Sequence, residues 1–95
     1  MSCLQGTINV TYGELVKIFG IPNCETDGYK TDAEWRLEID DEEIYIYNWK
    51  NGKNYCGKDG LAVEDITDWH IGGGSPVAVE LIKQEIQLFE SGGKR

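Results

Sequence analysis

The sequence predicts an α+β domain: a small, mostly antiparallel sheet of three to five strands with two helices packed on one of its faces. Two stretches with apolar residues at helical spacing, one early and one late, supply the helices. A pair of segments that alternate apolar and polar residues around an acidic turn supplies the centre of the sheet. With 95 residues and no internal repeat, low-complexity tract or linker, the span 1–95 reads as a single domain.

Residues 6–10 (GTINV) read as a short strand. Thr11 then opens T-Y-G-E, a capping box in which Thr11 caps the next turn and Glu14 reaches back. Tyr12, Leu15, Val16 and Phe19 recur on one helical face, and Gly20 followed by Pro22 ends the helix. The polar stretch 23–31, with Gly28, reads as a loop. From 34 to 39, Trp35, Leu37 and Ile39 alternate with Glu34, Arg36 and Glu38 as a half-buried strand. After an acidic turn from Asp40 to Glu43, Ile44 and Ile46 point one way and Tyr45, Tyr47 and Trp49 the other. Asn51-Gly52 is a further turn signal, which makes 53–56 another short strand before a turn at Asp59-Gly60. Residues 66–71 (ITDWHI) read as the last strand. Three glycines lead into Ser75-Pro76, an N-cap followed by proline at the first helical position. Val79, Ile82, Ile86 and Phe89 give the second helix a core stripe that ends near Gly92.

Composition narrows the function. Nine Lys+Arg against 17 Asp+Glu leave a net charge of -8, which repels DNA and RNA backbones, so no direct nucleic-acid binding is expected. No apolar stretch is long enough to cross a membrane, and MSCLQGTINV has neither a basic n-region nor an apolar h-region, so a cytoplasmic protein is expected. Cys3, Cys24 and Cys56 are odd in number and unrelated in spacing, which favours free thiols over a disulfide framework. His70 is the sole histidine, and neither it nor the cysteines form the close pairs of a zinc site, so no metal is expected. A Cys-His catalytic pair would have to be built across the fold with no elbow motif behind it, so the chain is not expected to be an enzyme and no catalytic residue or cofactor is assigned. The consecutive carboxylates Asp40 to Glu43 lack the spaced oxygens of a calcium loop and read as a solvated turn.

The middle of the chain differs from the rest. Residues 44–58 (IYIYNWKNGKNYCGK) hold Lys50, Lys53 and Lys58 and no acid. Tyr45, Tyr47, Trp49 and Tyr55 are interleaved there with Asn48, Asn51 and Asn54, the residue types that stack on bases, read their edges and neutralise phosphates. The other reading of the segment is a hairpin with an exposed basic tip, its aromatics serving as core or cross-strand pairs. Tyr29, Lys30 and Thr31 share one polar loop. Trp69, His70 and the glycines 72–74 stand before a helix N-terminus, where unpaired N–H groups favour an anion. A plain flexible connection is the alternative for the glycines, and a hydrogen-bonded or core residue for His70.

Convergence of these three segments would give one ligand-binding site. Trp49 and Tyr55 would stack bases; Lys30, Lys50 and Lys53 with the backbone of Gly72, Gly73 and Gly74 would take phosphates. Thr31, Asn54 and His70 would read polar edges, with Tyr29 and Trp69 as further aromatics. A homo-oligomer is expected, because two copies of a small domain build a cleft that one cannot enclose. The rival from another class is an acidic protein-binding inhibitor that mimics nucleic acid in a groove of another protein. It rests on the net charge and on Asp40 to Glu43.

The strings GYKTDAEW (28–35), IYNWKNGKNYCG (46–57) and DWHIGG (68–73) resemble a family of small bacteriophage and viral proteins of unassigned function. The likeness runs from about residue 19, at the FG-I-P that ends the first helix, to residue 74. Asp41-Glu42-Glu43 departs from it, since the family tends to have a D-G turn there. The resemblance implies a phage origin and an anti-defence role, similar in style to sponges that sequester a cyclic oligonucleotide or related nucleotide signal. A sponge needs stacking and phosphate contacts and no catalytic group; for the acidic inhibitor the resemblance implies a target in a host defence complex such as a CRISPR effector, or in a transcription complex.

Overall fold

The computed structural model describes residues 3–24, 32–49 and 51–92. In chain order they form β1 (Cys3–Asn9), α1 (Tyr12–Phe19), β2 (Glu34–Ile39), β3 (Glu42–Tyr47), α2 (Lys53–Cys56), β4 (Asp68–Gly73) and α3 (Val77–Glu90). The strands make one sheet in the order β1-β4-β3-β2, antiparallel at every step. The α+β fold is as the sequence predicts, with four strands.

Local chemistry explains the elements. The Thr11 hydroxyl accepts from the Glu14 N–H at 3.1 Å while the Glu14 carboxylate accepts from the Thr11 N–H at 3.1 Å, so the capping box that starts α1 is complete. Gly20, at φ 88, ends the helix in a conformation that side chains disfavour. The β2–β3 turn is only Asp40-Asp41, at φ 52 and 66, so β3 begins at Glu42. Two left-handed residues give the turn the twist of a hairpin, and short aspartates tolerate that region.

Alternation sends Trp35, Ile44, Ile46, Trp69 and Ile71 to one face, where they are fully buried with Leu15 of α1 and Ala78 and Ile82 of α3. Both long helices pack on that face. The two core tryptophans meet edge to face at 5.4 Å, with Tyr12 at 5.8 and 6.3 Å from them. Their N–H groups reach either end of α1. Trp69 Nε1 donates to the Val10 carbonyl at 3.1 Å, and Trp35 Nε1 donates to the Gly20 carbonyl at 2.8 Å.

Four expectations are corrected. Residues 53–56 are the short helix α2 and not a strand; the segment folds back on itself, with Gly52 bridging Leu61 and the Leu61 N–H donating to the Asn51 carbonyl at 3.0 Å. β4 continues through Gly72 and Gly73, because these residues pair with β1 and β3. Ser75 does not cap α3 with its side chain; its hydroxyl donates to the Glu42 carboxylate at 3.3 Å. In α3 the buried face is Ala78, Leu81, Ile82, Glu85 and Ile86, while Phe89 in the last turn is exposed.

The Trp69 N–H gives a direct test. Trp69→Phe keeps an aromatic ring but leaves the Val10 carbonyl without that donor, so urea denaturation should show a loss of about 1–3 kcal/mol. A loss below about 0.5 kcal/mol, the range of an ordinary surface change, would remove this bond from the account of α1.

Candidate ligand-binding face

The sheet face opposite the helices is built from cross-strand rows. Glu34, Tyr47, His70 and Thr7 form one row over the four strands, and Arg36, Tyr45, Gly72 and Leu4 form the next. Directly paired residues share a face, so both tyrosines of β3 stand where the isoleucines do not. Tyr47 meets His70 edge to face at 5.5 Å and Trp49 at 6.2 Å. Tyr45, Tyr47 and His70 are half-buried, and Trp49, just past β3, is 40% exposed. The result is a partly open aromatic surface.

An exposed ion pair borders it. Arg36 donates to one Glu43 oxygen from Nε at 3.1 Å and from Nη2 at 2.6 Å, and the Tyr45 hydroxyl donates to the other at 3.0 Å. The Arg36 hydrogen bond, followed by that of Tyr45, holds Glu43 below the usual carboxylate value. Arg36 is raised by the same contact. Tyr45 is pushed up chiefly by its hydrogen bond to Glu43, and Tyr47 chiefly by burial and then by the charge of Glu34. Both phenols therefore remain neutral donors at neutral pH.

Beneath one end of this surface lies a polar group that the aromatic pattern did not single out. Asn48 is fully buried, and its Oδ1 accepts from the N–H groups of Asp32 at 2.6 Å and Ala33 at 3.1 Å. Its amide donates to Asp32 Oδ1 and Asn51 Oδ1, each at 3.0 Å. The other Asp32 oxygen accepts from the Asn54 N–H at 3.2 Å, the second residue of α2. These bonds tie α2 to the end of β3. The signal was in the sequence: Asn48 has the parity of Ile44 and Ile46, so a polar residue at a core position was implied.

Of the residues assigned to a site from sequence, the structure places Trp49 and His70 on the open face. Lys53, Asn54 and Tyr55 are exposed on α2, at the Trp49 end. Tyr29, Lys30, Thr31 and Lys50 lie outside the described residues. Trp69 is corrected to the core: it has no exposed surface, and neighbouring residues of one strand face opposite ways, so Trp69 and His70 do not share a site. Gly72 and Gly73 are also corrected, being buried residues within β4 and not a cradle ahead of the helix. Gly73 lets α3 approach, since a Cβ there would lie 2.9 Å from that of Ala78. Cys24 lends its thiol to Glu34 at 3.4 Å. Among the described residues no group of three or more His, Cys, Asp or Glu side chains could hold a metal ion.

Comparison with known proteins returned no matching family, no matching curated protein and no matching solved structure. The reading of this face therefore rests on its own geometry.

Two outcomes follow from that geometry. A tyrosine whose folded value is raised keeps its proton to higher pH than in the unfolded chain, so Glu43→Gln, which removes the anionic acceptor, should bring the Tyr45 titration down toward the ordinary value. Phenolate absorbance during alkaline titration reads this, and an unmoved curve would disconnect Tyr45 from Glu43. Gly73→Val should destabilise the fold by about 1–3 kcal/mol through overpacking against Ala78, visible as a lower urea midpoint without ligand. Unchanged stability with lost ligand binding would return Gly73 to the site.

Proposed function

We propose that this protein binds a phosphorylated nucleotide on the open sheet face and holds it without cleaving it. The observation that carries the reading is the row Tyr45, Tyr47, Trp49 and His70, presented together on the side of the sheet away from the long helices. A buried aromatic cluster would serve the core, but this one lies opposite a core already filled by two tryptophans and six isoleucines of the sheet and helices. Rings held edge to face, with Trp49 exposed, offer flat surfaces on which bases stack. Lys53 in α2 and Lys58 just after it stand in the acid-free segment that starts at the Trp49 end, where they supply charge for phosphate. Lys30 and Lys50 join them in the same proposal.

The resemblance of the three aromatic-polar strings to small bacteriophage proteins extends the proposal: the ligand is a cyclic oligonucleotide or related immune signal of the infected cell, and the outcome is sequestration. A second reading has its own observation. The hairpin tip from Asp40 to Glu43 is acidic, and Glu43 is held ionised by Arg36. An acidic tip of this kind suits a nucleic-acid groove on a host defence protein.

One experiment separates these. The protein is incubated with a panel of cyclic di- and trinucleotides and ADP-ribose-type signals, then heated to release what it holds, and the nucleotides are chromatographed. Intact ligand recovered after heating supports sequestration; altered ligand supports an enzyme; no depletion favours the protein-binding reading. For a depleted ligand, Trp49→Ala and Tyr47→Ala should each weaken binding by about 1–3 kcal/mol, the cost of losing one stacking partner. Binding that survives both substitutions would move the ligand off this face.

A further inference from the structure

We propose that two copies of this chain pair through the outer edge of β1, forming a two-fold dimer in which the sheet continues from one copy into the other. Among the described residues β1 is an outer strand, paired with β4 alone. Such an edge offers a row of backbone N–H and C=O groups to any strand that can reach it, and proteins commonly blunt it with charges, proline or cover. The opposite edge is blunted in this way. Along β2, the Asn23 side chain accepts from the Arg36 N–H at 2.8 Å and donates to the Arg36 carbonyl at 3.1 Å, and the Cys24 N–H donates to the Glu34 carbonyl at 3.2 Å. Glu34, Arg36 and Glu38 add charge there. β1 reads CLQGTIN, with no charged residue and no proline. In a chain of net charge -8, it is a line along which two copies approach without like charges directly opposed.

The occupant is identified by what flanks this edge. A groove of about 520 Å³ runs between Thr7–Val10 and the face of α3 that carries Lys83, Ile86 and Glu90. Lys83 and Glu90 are exposed, opposite in sign and seven positions apart, which is two turns along one face of the helix. A two-fold axis through Ile8 pairs Thr7 antiparallel with Asn9 of the other copy, the two positions whose backbone groups point away from β4, and sets the two α3 helices side by side in opposite directions. Lys83 of each copy then faces Glu90 of the partner subunit. One symmetry operation thus satisfies both the backbone edge and the charge pattern, which a partner of arbitrary sequence does not.

Sedimentation equilibrium at low salt, without nucleotide, tests this independently of the ligand-binding reading. The expected result is a monomer–dimer equilibrium. Lys83→Glu and Glu90→Lys should each raise the dimer Kd by about tenfold, because each turns two attractive contacts into two repulsive ones. The double reversal should recover most of the affinity, and all three variants should melt like the parent chain, since both positions are exposed. A chain that stays monomeric up to its solubility limit would overturn the proposal. So would a dimer indifferent to either reversal, or one lost in Trp49→Ala, which would place the contact on the open sheet face instead.

Discussion

Both ends of α1 hang on indole N–H groups. Trp69 in β4 holds the carbonyl of Val10, just before the Thr11 cap, and Trp35 in β2 holds the carbonyl of Gly20, just after the last turn. A helix of eight residues is too short to be stable alone, so its position depends on what the sheet gives it. The two rings also touch each other, and they sit on strands separated by β3. The bonds that fix α1 therefore fix the spacing of the sheet beneath it. Large aromatics that must satisfy a polar N–H while buried leave little choice of rotamer or register.

That arrangement decides what the opposite face can be. With the core side committed to Trp35, Trp69 and the isoleucines, strand alternation leaves Tyr45, Tyr47 and His70 on the other side. Asn48 closes the hairpin's far end. As a buried side chain with both its acceptor and its donor groups occupied, it converts the exit of β3 into a fixed corner from which α2 starts. Trp49 is carried at that corner, beside a fixed residue though itself exposed. The aromatic surface is thus a by-product of core packing at one end and of a polar network at the other.

Much of this was legible in the sequence. Periodicity alone located the long helices and the central hairpin, and the alternation of residues 44–49 separated the isoleucines from the tyrosines correctly. What was not legible came from tertiary contacts overriding local preference. Glycines read as a loop at 72 and 73, yet both pair within β4, and at Gly73 the missing side chain lets α3 approach the sheet. Residues 53–56 read as a strand, but the ties among Asp32, Asn48, Asn51 and Asn54 fold them into a helical turn. Trp69 was misassigned for a reason visible in advance: residues 66–71 read as a strand, and a strand that places His70 on the open face must place Trp69 in the core.

Charge is distributed along the same axis as the aromatics. The chain runs from the tip at Asp40-Asp41 along β3, past Glu43, to Trp49, after which residues 51–58 carry lysines and no acid. Glu43 is kept ionised at the first end by Arg36, whose own charge it offsets, so that pair contributes little net field. Asp40, Asp41 and Glu38 add negative charge nearby, and Lys53 and Lys58 add positive charge at the other end. The ligand proposed for this face, with flat rings and an anionic group, would meet both features in one orientation, rings over Tyr47 and Trp49 and the anion toward α2. On a chain that is acidic overall, this local reversal of sign would select for where an anion binds and how it is turned, while repelling long polyanions from the remaining surface.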